Sequence, residues 1–326
     1  MTGPVTLPVT VIGGYLGAGK TTLLNRLLAD PQGLRLAVIV NDFGSVNIDA
    51  ALIANRQGDT ISLTNGCVCC SIGDNLALAL HDFAERPDGP QHIVIEASGV
   101  ADPARIAGYT ASHPRLVLDG VVTVADAETV RRRADDKYVG DLVRSQLAAA
   151  DLVLLSKTDL AGPEASRQAL DWIAATTSGA RIVPMPPVGP VADLLVAAGT
   201  DDAVPSPTAQ DGEHARLFAT WSFTHGAPLD EAALRRVLDA LPRSIVRAKG
   251  IVSLAGEPGR RFVLQLVGRR WSLEPQDCGA LAGRSSIVCI GLADSFEPAH
   301  LDSLFGGIAV APPASVAALL LDGGRP

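Results

Sequence analysis

Short, strongly apolar runs alternate along this chain with stretches whose apolar positions recur every three or four residues, and the alternation persists to about residue 185. Val9 to Ile12 is mostly β-branched and of strand length, and Leu23, Leu24, Leu27 and Leu28 then share one face of a helix beginning near Lys20. Leu36 to Val40, Ile61 to Leu63, Ile93 to Ile95, Gly120 to Ala125, Leu152 to Leu155 and Arg181 to Val183 read as further strands. Between them, helices are expected over about Asp74 to Ala84, over Asp141 to Ala150, and around Leu170, Ile173 and Ala174. Apolar strands alternating with amphipathic helices predict an α/β fold, a mostly parallel sheet flanked by helices.

The texture then changes. Pro184 to Pro190 is proline-rich, and Gly199 to Gly212 carries Asp, Pro, Ser and Thr with few large apolar side chains. Residues 191–214 are therefore expected to form an exposed linker after a first domain over 1–190. Beyond it, Leu217 to Phe223 reads as a strand, and Leu234, Val237, Leu238 and Leu241 mark a helix that Pro242 ends. Ile245 to Leu254, Arg261 to Val267 and Ser286 to Ile290 read as strands and Glu297 to Phe305 as a short helix. This predicts a small α+β domain over 215–307, followed by a loose tail over 308–326 in which Val316 to Leu321 could dock as a helix.

Composition narrows the function classes. At 326 residues, 47% hydrophobic and 19% charged, the chain is long enough for two folded domains. Its net charge of −8 opposes nucleic-acid binding by the whole molecule. Arg235, Arg236, Arg247, Lys249, Arg260, Arg261, Arg269 and Arg270 make the second domain locally positive, but no aromatic stacking platform accompanies them. They read as a client-docking or solvated face. Met1 to Pro8 lacks the charge and apolar core of a secretory signal, and no apolar run approaches the roughly 20 residues that span a bilayer. A cytoplasmic protein with no membrane partner is expected. Three of the five cysteines crowd into Cys67-Val68-Cys69-Cys70, unlike a disulfide framework, so reduced thiols are expected.

Gly14-Tyr15-Leu16-Gly17-Ala18-Gly19-Lys20-Thr21 fits GxxxxGK(S/T) at every fixed position and lies between a strand and a helix, as that motif requires. The glycines let successive N–H groups turn inward, and the helix dipole adds positive field, so phosphate is the natural guest. Gly14, Gly17, Ala18, Gly19, Lys20, Thr21 and Thr22 are the expected cradle, with Lys20 reaching the β/γ-phosphates and Thr21 placed to ligate Mg²⁺. Glu96 ends a strand where a carboxylate can hold Mg²⁺ or its water, and Gly99 could offer its N–H to the γ-phosphate. A capping carboxylate with no metal role is the alternative for Glu96. Lys20, Thr21 and Glu96 are the candidate catalytic residues.

Ser156-Lys157-Thr158-Asp159 follows an apolar strand, where a GTPase reads its base, although the usual first residue is Asn. The Asp159 carboxylate can accept from guanine N1–H and the 2-amino group together, which adenine cannot match. Lys157 would pack its stem along the base. Cys67, Cys69 and Cys70 can supply three ligands to a soft tetrahedral metal, leaving one position open. Buried apolar cysteines or a redox switch are the alternatives. The six histidines are scattered, and His113 is the one speculative candidate among them.

With Gly14 to Thr21, Asn41 to Gly44, Cys67 to Cys70, Glu96 to Gly99 and Ser156 to Asp159 in this order, the chain resembles the CobW-type GTPases, relatives of the UreG and HypB metal-insertion GTPases. Val246 to Gly250 and Val288 to Gly291 resemble that family's C-terminal domain. The resemblance implies that Cys67, Cys69 and Cys70 bind a transition metal, usually Zn²⁺, with Co²⁺ or Ni²⁺ also open. It implies that GTP controls transfer of that metal to a client metalloprotein. Asp42 falls where many members carry Glu, still a hard oxygen ligand, and the His-rich tract of some members is absent. A homodimer is left open. Slow GTP hydrolysis with Mg²⁺ is the leading expectation; an ATP- or GTP-dependent enzyme of cofactor biosynthesis and a metal-sensing switch with little turnover are the competing ones.

Overall fold

The structure is a computed structural model that describes residues 6–41, 59–63, 71–177, 179–186, 191–195, 218–276, 285–292 and 295–308. The first part of the chain folds as β1 (Leu7–Gly13), α1 (Lys20–Ala29), β2 (Leu36–Asn41), β3 (Asp59–Leu63), α2 (Ser71–Glu85), β4 (His92–Ala97), α3 (Pro103–Gly108) and a 3₁₀ turn over Tyr109–Ser112. It continues with β5 (Leu116–Asp126), α4 (Val130–Ala134), α5 (Gly140–Ala149), β6 (Leu152–Ser156), α6 (Thr158–Thr176), β7 (Arg181–Pro184) and α7 (Ala192–Leu195). The seven strands form one sheet in the order β3-β2-β4-β1-β5-β6-β7, and every neighbouring pair is parallel. An all-parallel sheet needs cover on both faces, which is why β4 and β6 are buried at every position.

The second part contains β8 (Phe218–His225), α8 (Glu231–Ala240), β9 (Ile245–Ser253), β10 (Arg261–Val267), β11 (Arg270–Gln276), β12 (Ser285–Leu292) and α9 (Pro298–Gly306). Its five strands make an antiparallel sheet in the order β11-β10-β9-β12-β8. Leu234, Val237 and Leu238 of α8 and Leu301 and Phe305 of α9 pack with Trp221, Val252, Leu264 and Ile287 into one apolar cluster. The α/β fold with a smaller α+β unit agrees with the sequence expectation. No helix among the described residues is long and apolar enough to cross a membrane.

Four features depart from the sequence reading. Strand β5 begins at Leu116 rather than Gly120, because Asp119 interrupts the apolar pattern yet is fully buried. Strand β11 was not expected; its alternation is broken by Pro275, which an edge strand tolerates. The expected linker opens with α7, where Val191, Ala192, Leu194 and Leu195 are buried in the same cluster as α1 and the sheet. Part of the positive charge assigned to an exposed face is spent internally: Arg247 is buried against Asp119, and Arg269 and Arg270, exposed themselves, pair with the buried Asp151. Those arginines spend their charge between the two sheets. The tail beyond residue 308, with Val316 to Leu321, lies outside the described residues.

The contact between the two parts is close and polar. Val246 and Val267 join the α1 side of the parallel sheet. The β10–β11 turn presses on β6, since a Cβ added at Gly268 would lie 1.7 Å from the Asp151 carbonyl oxygen. Within the contact, the Arg247 guanidinium lies 2.9 Å from Asp119 Oδ2, and the Thr10 hydroxyl donates to Leu195 O at 2.8 Å. Having given its hydrogen there, Thr10 accepts from His92 Nε2 at 2.8 Å, which assigns His92 as the neutral Nε2–H tautomer.

Burial pushes the His92 pKa down to about 4; neighbouring Asp119 opposes that, while Arg247 and Lys249 reinforce it. Below pH 6.5 the unfolded chain therefore takes up a proton that folded His92 refuses, and stability falls as pH drops toward 4. The loss is expected to be on the order of 3 kcal/mol. Denaturant midpoints measured between pH 7 and 4.5 should show this slope, and His92→Gln should flatten it relative to the unaltered chain. A Gly268→Ala substitution should cost more than about 2 kcal/mol in the same assay, through both its positive φ and the collision with β6.

Candidate nucleotide-binding site

The parallel register sets the site. Ile12 of β1 lies beside Glu96 of β4 on one side and Val122 of β5 on the other, and Val40 of β2 also lies beside Glu96. The carboxyl ends of four adjacent strands thus open along one edge, where open α/β sheets receive ligands. The loop after β1 turns at Gly14 (φ 132°), Gly17 (φ 74°) and Gly19 (φ 104°). At Gly14 a Cβ would sit 2.3 Å from the Val124 carbonyl oxygen, so glycine alone fits there. Gly19 caps α1 with no side-chain hydrogen bond to the first turn, which leaves that turn available to an anion.

Lys20 is 6% exposed, and its ammonium curls back over the loop, donating to Gly14 O at 3.0 Å and Tyr15 O at 3.4 Å. The Thr21 hydroxyl donates to Glu96 Oε1 at 3.1 Å, and Glu96 is buried. A hydroxyl and a carboxylate oxygen brought together beside a phosphate cradle suit a hard cation such as Mg²⁺. Ala18 is buried and Thr22 exposed at the edge of the cradle. Gly99 touches the loop directly: a Cβ there would lie 2.7 Å from Leu16 N and 2.9 Å from Leu16 Cα.

The expected base-reading segment meets the same loop. The Ser156 hydroxyl lies 2.6 Å from Ala18 O and 3.2 Å from Ala125 O, so the short side chain ties the end of β6 to the cradle. Lys157 adopts the left-handed conformation (φ 57°) ahead of α6, and its ammonium pairs with Asp126 Oδ2 at 2.7 Å. Asp159 stands exposed in the first turn of α6, set apart from the rest of that helix by the break at Gly162 (φ 77°).

Two residues of this neighbourhood escaped the sequence reading. Asp126 ends β5 much as Glu96 ends β4, a signal that was available. Gln146, in α5, is buried and donates to Gly99 O and Ala101 O, and nothing local in the sequence announces that. His113 lies elsewhere, before the amino end of β5, with Nε2 2.9 Å from Glu85 Oε1 and Nδ1 accepting from Arg115 N–H. Both its nitrogens are engaged far from the cradle. Asp42, Cys67, Cys69 and Cys70 lie outside the described residues. The segments that carry them leave the sheet beside the site, from Asn41 and Leu63, which are paired in register. Among the described residues no group of three or more His, Cys, Asp or Glu side chains could hold a metal ion. Cys289 is buried in β12, where burial pushes its thiol up to about 12.

The family described as the CobW/HypB/UreG nucleotide-binding domain matches residues 8–184. The chain belongs to that family. The description of the C-terminal domain of cobalamin synthesis protein CobW matches residues 218–309. The zinc chaperone CobW of a Sinorhizobium species is 31% identical, over 90% of this chain and 95% of its own. The zinc chaperone YjiA of Escherichia coli is 40% identical over 48% of this chain and 51% of its own. A crystal structure of Zn(II)-bound YjiA GTPase from E. coli covers 94% of this chain and 99% of its own, at 25% identity and a TM-score of 0.41.

For this CobW-family chain the Ser156 bridge carries a measurable consequence. Ser156→Ala should weaken guanine-nucleotide affinity about 5- to 10-fold, the loss of one buried hydrogen bond that aligns two binding loops. Titration calorimetry with GDP would read it.

Proposed function

We propose that this chain is a GTP-binding metallochaperone that hydrolyses GTP slowly and passes a transition metal, zinc first among the candidates, to a client metalloprotein. The observation that carries the reading is the Thr21–Glu96 pair beside the Gly14 to Thr21 cradle, with Ser156 tying the base-reading segment to that cradle. The name of the relative matched over nearly its whole length supports the metal half of the reading.

In this mechanism the backbone N–H groups of the cradle and the Lys20 ammonium bind the β- and γ-phosphates. Thr21 and Glu96 would hold Mg²⁺, which neutralises charge building on the phosphate oxygens. Asp159 accepts from the guanine edge and the Lys157 stem covers its face, with Asp126 holding the Lys157 ammonium in place. Gly99 senses the γ-phosphate through its N–H. No side chain on the described residues stands out as a base for the attacking water, so positioning and electrostatics carry the reaction and turnover is slow. Cys67, Cys69 and Cys70 hold the metal cargo, with Asp42 as a further oxygen ligand. The segment carrying Asp42 begins at the strand end next to Glu96 and the cysteine segment one strand further out, so nucleotide state and metal affinity are coupled, by a factor of about 5 to 150 in the usual range for two linked sites.

Two measurements check this. GTP should outcompete ATP by roughly 10²-fold or more, and Asp159→Ala should erase most of that preference; an ATP preference in the unaltered chain would overturn the base assignment. Zn²⁺ titration of reduced protein should give different affinities with and without a non-hydrolysable GTP analogue, and Cys67→Ser, Cys69→Ser or Cys70→Ser should each weaken binding. Equal affinities in the two states would remove the coupling.

A further inference from the structure

Gln146 is 1% exposed in α5, and burying a primary amide is costly unless its hydrogens are matched. Both are. Nε2 donates to Gly99 O at 3.1 Å and to Ala101 O at 2.9 Å, the two carbonyls of a turn closed by Ala101 N–H to Ser98 O at 2.9 Å. The helix behind it is fixed at the same residue, since the Thr123 hydroxyl of β5 donates to the Gln146 backbone carbonyl oxygen at 3.0 Å. On its other side the turn meets the cradle, with Gly99 so close to the Leu16 backbone that no side chain fits between. The turn after Glu96 is therefore clamped between α5 and the phosphate loop.

We propose that Gln146 is a positioning residue for the triphosphate: it holds the Ser98 to Ala101 turn against the cradle so that Gly99 N–H and Glu96 meet the γ-phosphate end of the nucleotide. The proposal rests on the nucleotide reading above and adds the residue that sets its discrimination between triphosphate and diphosphate. Both hydrogen bonds of the Gln146 amide go to the turn, to Gly99 O and Ala101 O, and not to the cradle or the base-reading segment. Its removal therefore acts on the triphosphate selectively.

The test uses the full chain with Gln146→Met, which keeps length and removes both donors. Affinities for GDP and for a non-hydrolysable GTP analogue are measured by calorimetry, kcat and KM for GTP by phosphate release, and the unfolding midpoint by heating. Expected are an analogue affinity about 10-fold weaker, GDP affinity within about twofold, and kcat lowered about 10-fold, the effect of losing two hydrogen bonds at the turn. A residue that only supported the fold would shift both nucleotides alike, so an unchanged analogue-to-GDP ratio with unchanged kcat overturns the proposal. If Gln146→Met does not fold, Thr123→Val removes only the hydroxyl that fixes the α5 backbone at Gln146, from which the amide projects. It should shift the same ratio about threefold, and no shift there overturns the proposal equally. Failure of the unaltered chain to bind either nucleotide overturns the underlying reading as well, which separates the two failures.

Discussion

The parallel hydrogen bonding of β1 to β4 is the interaction on which the rest depends. It places Ile12 beside Glu96, so the loop leaving one strand and the carboxylate ending the next arrive at the same edge. A slip of one residue would turn Glu96 to the opposite face of the sheet and away from Thr21. The register is held by strands buried on both faces, with α1 and the second sheet on one side and α2 to α6 on the other. The apolar core therefore serves the site chiefly as a positional constraint.

Around that edge, three buried polar side chains join elements far apart in the chain, and each lies against the cradle or the turn it touches. Glu96 receives Thr21, Ser156 reaches Ala18 O, and Gln146 holds the turn that leans on Leu16. Each is buried and hydrogen-bonded, which makes it costly to displace and good at fixing geometry. The second sheet is fastened by the same means on the α1 side, through Thr10, His92, Asp119 and Arg247. Thr10 lies three residues before Gly13, the last residue of β1, and 3.4 Å from Asp119, the partner of Arg247, so the second sheet grips the strand that delivers the phosphate loop through Asp119.

The C-terminal part is joined to the phosphate-loop strand through that grip. Its arginines illustrate the point. Read along the chain they form a positive set, yet Arg247 neutralises Asp119, and Arg269 and Arg270 share Asp151. Of these, only Arg247 is withdrawn from the surface, and the pairs join one sheet to the other.

The sequence by itself determined the features whose physics is local. Glycines at three positive-φ positions followed by Lys20 and Thr21, an acidic residue at a strand end, the alternation of apolar runs and amphipathic helices, and the two-part architecture all follow from short windows. Tertiary structure decided the rest. Ser156 stands where the usual residue is Asn, and its short hydroxyl bonds to a carbonyl 138 residues earlier. The grip of Gln146 on Gly99 spans 47 residues, and that of Arg247 on Asp119 spans 128. Val191 to Leu195 read as linker because flanking prolines and polar residues diluted four apolar side chains that pack into the core. In each case a polar or short apolar residue is ambiguous alone, and its role is set by which distant backbone the fold brings within reach.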